Sequence, residues 1–136
     1  MVEPQKRHWS RRLALQALYQ WQISGHEIDE LLAQYVEDEN WDKVDKDYFV
    51  DLLTESINQS VELSAIFSPY LNLPTEQIDP IENAILLYAT YEIMHKSETP
   101  SKVILSEAIN LCKKFGSIEG YKFINGVLDQ VTQNNR

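Results

Sequence analysis

The stretch from Asp79 to His95, DPIENAILLYATYEIMH, decides the fold class of this sequence. Asp79 is a residue type that caps helices, and Pro80 suits the first helical position, where a backbone N–H would have no partner. Glu82 stands three residues after Asp79, the spacing at which a capping box closes. Apolar residues then surround the helix on nearly every side, which is typical of a helix enclosed by neighbours. The sequence therefore predicts a central α-helix that begins after Asp79.

Further helices are predicted on both sides of this one from apolar residues at helical spacing. Their ranges are 9–23, ending at Gly25; 28–36; a long helix capped by Asp45 that continues to Pro69; one after Pro100 that stops at Gly116; and a last one from about 118 to 131. Gly126 lies inside the last helix, where Gly costs about 1 kcal/mol relative to Ala, so we expect it to permit close packing. No segment alternates apolar and polar residues between hairpin turns, and the predicted fold class is all-α.

Length and composition set the broad class. With 136 residues and 43% hydrophobic residues, the chain is expected to form one compact domain over residues 1–136. No apolar run is long enough to cross a membrane, and the single cysteine, Cys112, cannot form an internal disulfide. We therefore expect a cytoplasmic protein without a membrane contact.

The residues that usually carry catalysis or bind metals are sparse. His8, His26 and His95 are scattered and lack the spacing of a zinc site. Cys112 is placed on the core side of its helix, which favours a buried structural thiol, and Glu92 on the central helix is expected to reach solvent or pair with a lysine. None of the 4 glycines forms a phosphate-cradling loop. No catalytic residue, metal or cofactor is predicted.

A basic segment near the N-terminus contrasts with a net charge of -9 for the whole chain. Between positions 6 and 12 the sequence contains only basic charged residues: Lys6, Arg7, Arg11 and Arg12. A helix N-terminus disfavours cations, so this cluster calls for an anionic partner. Arg7 and Arg11 are four residues apart and are expected to share a polar face that Gln16 and Tyr19 extend. Cations for phosphates, with amide and aromatic groups for unstacked bases, indicate single-stranded RNA.

A sparser basic set lies near the C-terminus. Lys113 and Lys114 end the fifth predicted helix, and Lys122 with Phe123 opens the last one. The same combination of cations and an aromatic ring makes this second set a candidate for the same RNA.

Four segments together resemble the NusB family of bacterial transcription antitermination factors. They are RRLALQALYQWQ (11–22), VDKDYFVDLL (44–53), IENAILLYATYEI (81–93) and VILSEAINLCKKFGSIEGYKFINGVLDQV (103–131). The last is the most specific, because its Glu-Ala pair, Lys-Phe-Gly and Lys-Phe-Ile-Asn-Gly-Val-Leu-Asp are hard to obtain from helical patterning alone. The resemblance covers nearly the whole chain.

The resemblance implies two packed three-helix bundles and binding to single-stranded boxA RNA as a heterodimer with the ribosomal protein NusE. That complex would join other Nus factors on RNA polymerase. The implied RNA residues are Arg7, Arg11, Gln16, Tyr19, Glu119, Lys122 and Phe123, to which the charge pattern adds Lys6, Arg12 and Lys113. The implied NusE residues are Tyr19, Ile23, Tyr70 and Glu82.

The sequence departs from the family pattern at a few positions. His8 and Trp9 stand where the family is often basic, Arg12 stands where Glu is common, and Leu87 replaces a usual Arg. Two other functions stay open. NusB-like domains also occur in RNA cytosine methyltransferases, which would need a further domain with a glycine-rich cofactor loop. A protein-only adaptor would use its basic start to contact another protein.

Overall fold

The computed structural model describes residues 4–136, and this part of the chain contains seven α-helices and three short 3₁₀ turns. The helices are α1 (Pro4–Ser24), α2 (Ile28–Val36), α3 (Lys46–Asn58), α4 (Ser60–Phe67), α5 (Pro80–His95), α6 (Ser101–Phe115) and α7 (Gly120–Asn135). The 3₁₀ turns are Trp41–Lys43, Ser68–Tyr70 and Thr75–Gln77. These residues contain no strand, and the all-α prediction is confirmed. None of these helices has both the length and the apolar composition to cross a bilayer.

Helix α5 is the predicted central helix. It packs against α1, α3, α4, α6 and α7, and every residue from Ala84 to Ile93 is buried. The Asp79 carboxylate accepts hydrogen bonds from the backbone N–H groups of Ile81 (2.8 Å) and Glu82 (3.3 Å), so the predicted cap is confirmed. The predicted capping box is wrong, because the Glu82 carboxylate instead accepts from the N–H (3.2 Å) and the hydroxyl (2.8 Å) of Ser117.

The helices form two groups around α5. Helices α1, α2 and α3 pack on one another, as do α5, α6 and α7, and the contacts of α1 and α3 with α5 join the two groups. Their buried apolar side chains form one continuous cluster. This layout agrees with the two packed three-helix bundles that the resemblance implies.

The predicted long helix from Asp45 to Pro69 is wrong in one respect. The Asp45 cap is present, since its carboxylate accepts from the N–H of Tyr48 (3.2 Å), but the helix ends at Asn58 and α4 begins at Ser60. No Pro or Gly marks this break. The break between the two helices lets α3 pack on α1 and α5 while α4 packs on α5 and α7. Val61, which an unbroken stripe would bury, is 78% exposed.

The two glycines of α7 have different surroundings. A Cβ at Gly126 would meet no atom within 4 Å, so the expectation that this glycine permits close packing is wrong. The close approach is at Gly120, where a Cβ would lie 2.8 Å from Cδ of Glu82. The start of α7 is therefore held against the start of α5.

The carboxyl end of α5 is closed by a side chain that the sequence analysis did not single out. The Arg136 guanidinium donates to the carbonyl oxygens of Ile93 (2.9 Å), Lys96 (2.8 Å) and Thr99 (2.7 Å). A cation bonded to the last carbonyls of a helix interacts favourably with its dipole. Both ends of the central helix are thus capped by charged side chains.

Asp79→Ala is expected to lower the melting temperature, because loss of a capping side chain costs about 0.5 to 2 kcal/mol. Thermal unfolding followed by circular dichroism measures the change. Glu76→Ala is the matched control, since it removes one exposed carboxylate from the preceding 3₁₀ turn. Equal melting temperatures for the two variants would contradict the role assigned to the Asp79 cap.

Candidate nucleic-acid interface

The first half of α1 presents three of its four predicted cations at the surface. Lys6 is exposed, whereas Arg7 and Arg12 are half-buried. The Arg7 guanidinium carbon lies 4.2 Å from the centroid of the Tyr48 ring, which fixes this side chain against α3. The helix itself is anchored by Ser10, whose hydroxyl donates to the carbonyl oxygen of Asp45 at 2.8 Å.

Arg11 does not lie on the polar face predicted for it. Its side chain is only 2% exposed, with Nε and Nη2 donating to Glu92 at 2.9 to 3.1 Å and Nη1 donating to Glu107 at 3.0 Å. The expectation of an exposed Arg11 is wrong because a carboxylate buried on the central helix requires a paired cation, and this arginine supplies it. Arg11 is therefore removed from the RNA candidates.

Glu92 is the centre of this buried network. It is fully buried, so the expectation that it reaches solvent or pairs with a lysine is wrong. It also accepts from the hydroxyl of Tyr48, and burial together with the charge of Glu92 raises the pKa of Tyr48 and Tyr88 above the ordinary value. Burial alone would lower the pKa of Arg11, but the hydrogen bonds and charge of Glu92 hold it above its usual value. The network joins α1, α3, α5 and α6 beneath the basic segment.

The second predicted set lies at the end of α6 and the start of α7. Lys113 is exposed, and its Nζ is 4.7 Å from the centroid of the Tyr121 ring. Lys122 and Glu119 form an exposed ion pair at 2.8 Å, so each reduces the charge that the other presents. Phe123 is half-buried and packs against the core.

The basic segment of α1 approaches the end of α6 at Phe115, a half-buried residue that packs against the core. The Arg12 guanidinium carbon lies 5.1 Å from the centroid of the Phe115 ring at the end of α6. Gln16 and Tyr19 follow Arg12 along α1, half-buried and 39% exposed respectively. Arg12 of the first basic set thus lies beside the end of α6 that carries Lys113 and Lys114.

The predicted partner residues are only partly brought together. Tyr19 and Ile23, the latter 61% exposed, line an apolar groove of about 360 Å³ beside Phe115. Tyr70 is half-buried in a 3₁₀ turn that packs on α4 and α7, and it does not line this groove. Glu82 is 6% exposed and bonded to Ser117, so we correct its assignment to the partner surface.

The thiol of Cys112 and the possible metal ligands are the remaining candidates for chemistry. Cys112 is buried, as predicted, and burial raises the pKa of its thiol to about 11, which keeps it in the unreactive protonated form at neutral pH. Within residues 4–136, no three His, Cys, Asp or Glu side chains come together as metal ligands.

Comparison with known proteins shows which sequence family the chain matches. The sequence profile described as "NusB family" matches residues 8–133. The chain belongs to the NusB family. It is 42% identical over 135 residues to the transcription antitermination protein NusB of Pseudoalteromonas atlantica, covering 99% of this chain and 96% of that protein. The NusB of Shewanella loihica is 39% identical over 130 residues, covering 96% of this chain and 97% of that protein.

Solved NusB structures share the fold. T. maritima NusB superimposes with a TM-score of 0.86 at 24% identity, covering 95% of this chain and 92% of that one. A crystal structure of antitermination factors NusB and NusE in complex with dsRNA gives a TM-score of 0.82 at 26% identity, covering 95% of this chain and 97% of that one.

Arg11→Met is expected to destabilise the protein strongly, by about 3 to 5 kcal/mol, because it leaves Glu92 charged, buried and without its cation. Adding Glu92→Gln should restore part of the loss, since the remaining group is then neutral. Urea unfolding curves measure both variants. Arg7→Met, which removes the same charge from a half-buried site, serves as the control and should cost far less. A double variant less stable than Arg11→Met would contradict this account.

Proposed function

We propose that this chain is a transcription antitermination factor that binds single-stranded boxA RNA of ribosomal RNA leaders together with the ribosomal protein NusE. The observation that supports it most directly is the contact of Arg12 with Phe115, which brings the basic segment of α1 beside the lysines at the end of α6 on an otherwise acidic protein. The NusB relatives that match nearly the full chain are named as transcription antitermination proteins, and one solved relative is described as NusB and NusE in complex with dsRNA.

The proposed RNA surface keeps the predicted residues that remain accessible. They are Lys6, Arg7, Arg12, Gln16, Tyr19, Lys113, Lys122 and Phe123, with Glu119 positioning Lys122 through their ion pair. Lysine and arginine at these positions would bind phosphates, and the rings of Tyr19 and Phe123 would stack on bases. Arg11 contributes indirectly to this surface, because its ion pair with Glu92 holds α1 against the central helix.

The proposed NusE surface is the groove next to Tyr19 and Ile23. Its walls are mostly apolar, and Ile23 is a large apolar side chain left 61% exposed. The net charge of -9 would favour a basic ribosomal partner. The pair would then act with other Nus factors and RNA polymerase in the cytoplasm. We propose no catalytic step for the chain.

We expect boxA RNA to bind with a steep salt dependence. If four to six phosphates are neutralised, log K should fall with log salt at a slope of roughly -3 to -4 for a single strand. Fluorescence anisotropy over a salt series measures the slope, with and without saturating NusE, and NusE should increase the affinity. A slope near zero would favour the protein-only adaptor, and equal affinities with and without NusE would exclude a composite site.

Phe123→Leu should weaken RNA binding and leave the fold largely unchanged. Leucine keeps apolar contact with the core but removes the flat ring, and stacking on one base is worth about 1 to 3 kcal/mol, or roughly 5- to 150-fold in affinity. RNA anisotropy and thermal unfolding are measured together. Phe67→Leu is the control, since Phe67 is fully buried and should affect stability alone. Normal RNA affinity with a lowered melting temperature would assign Phe123 to the core.

A further inference from the structure

A row of alternating cations and aromatic rings crosses α1 and reaches residues outside the proposed RNA surface. It runs from Lys43 over Trp9 (4.6 Å from Nζ to the ring centroid) to Arg12 (4.7 Å from the guanidinium carbon to the Trp9 centroid), then to Phe115 (5.1 Å) and Lys114 (5.9 Å). We call these residues the cation–aromatic row. Three separate segments contribute to it: the 3₁₀ turn before α3, the first half of α1, and the end of α6.

The cations of the row are held by rings and not by acids. Among residues 4–136, no ion pair and no side-chain hydrogen bond involves Lys43, Arg12 or Lys114. A ring attracts a cation through its quadrupole and carries no net charge, so the positive charge persists. Arg11 differs, because Glu92 and Glu107 neutralise it.

The row also limits which ligand chemistry fits. Trp9 lies close to two of the cations, Lys43 and Arg12, so its ring is already engaged with charge. A row of unneutralised charges held at fixed positions suits a polymer of phosphates better than an isolated base. The exposed ends of the row, Lys43 and Lys114, could bind phosphates while the rings keep the cations in place.

We propose that the cation–aromatic row is a phosphate-binding strip for the backbone of single-stranded RNA, with Lys43, Arg12 and Lys114 as phosphate ligands and Trp9 and Phe115 as positioning residues. The inference rests on the proposed function and deepens it. It adds Lys43, in the turn before α3, to the RNA path, and it adds Lys114 beside Lys113 at the end of α6. Recognition along the row is independent of base sequence, because phosphates carry no sequence information.

The test compares single charge removals by RNA anisotropy over a salt series. Lys43→Gln and Lys114→Gln should each reduce the magnitude of the slope of log K against log salt by about 0.7, the contribution of one phosphate on a single strand. Lys102→Gln is the matched control, because it lies on the same helix as Lys114, twelve residues away. That is about 18 Å along the helix, beyond the screening length of about 8 Å at physiological salt.

Two further measurements separate this inference from the proposed function. Both a boxA oligonucleotide and one of scrambled sequence are used, and the slope should change equally for the two if the row binds only the backbone. Trp9→Leu, which removes no charge, should also weaken binding to both RNAs, and circular dichroism verifies that each variant is folded.

The outcomes are distinct. The first outcome is a wild type with a steep salt slope and Lys43→Gln and Lys114→Gln variants that bind RNA like Lys102→Gln. It would overturn the phosphate-binding role of the cation–aromatic row and leave the proposed function intact. A slope change confined to boxA RNA would also overturn it, because a base contact would then be involved. A wild type that binds neither RNA would overturn both proposals.

Discussion

The buried ion pair between Arg11 and Glu92 is the interaction on which the arrangement of the two helical groups depends. Glu92 lies on α5, which packs against α1, α3, α4, α6 and α7, and it is fully buried. A carboxylate in that position is tolerated only with a cation and hydrogen bonds around it. Arg11 supplies both, so α1 has one favourable position and rotation against α5. The position of the basic segment on the surface follows from this contact inside the molecule.

Arginines one residue apart therefore have opposite roles. The charge of Arg11 is balanced by Glu92 and Glu107, and this arginine fixes the helix. The charge of Arg12 faces aromatic rings and, within residues 4–136, is not balanced by an acid. The difference is one of environment and not of residue type. An acidic protein can in this way present local positive charge, provided that its surface cations are held by groups that carry no negative charge.

The sequence predicted the features that have local causes. The cap at Asp79, the buried helix behind it and the end of α1 at Gly25, where φ is 69°, all follow from residue types at fixed spacing. The break at Gln59 had no such signal, because it depends on how α3 and α4 find separate partners. Periodicity assigned Arg11 to the surface since it treats every arginine as polar, and only the position of Glu92 in three dimensions shows why it is buried.

In the candidate site, too, the local features could be predicted from the sequence and the tertiary contacts could not. The basic residues that are adjacent in sequence were predicted as a cluster. The contact of α1 with the end of α6 through Phe115 joins residues far apart in sequence, so local patterns did not predict it. Trp9 and Arg12, noted in the sequence as departures from the family pattern, prove to be neighbours in the structure.

Adding a side chain has different consequences at the two glycines of α7. At position 120 a methyl group would collide with the Glu82 carboxylate, because the backbone at the start of α7 packs directly against the start of the central helix. At position 126 the surroundings are open. A single added carbon atom would thus displace the turn that carries Glu119 and Lys122 in one case, and in the other would leave the shape of the molecule as it is.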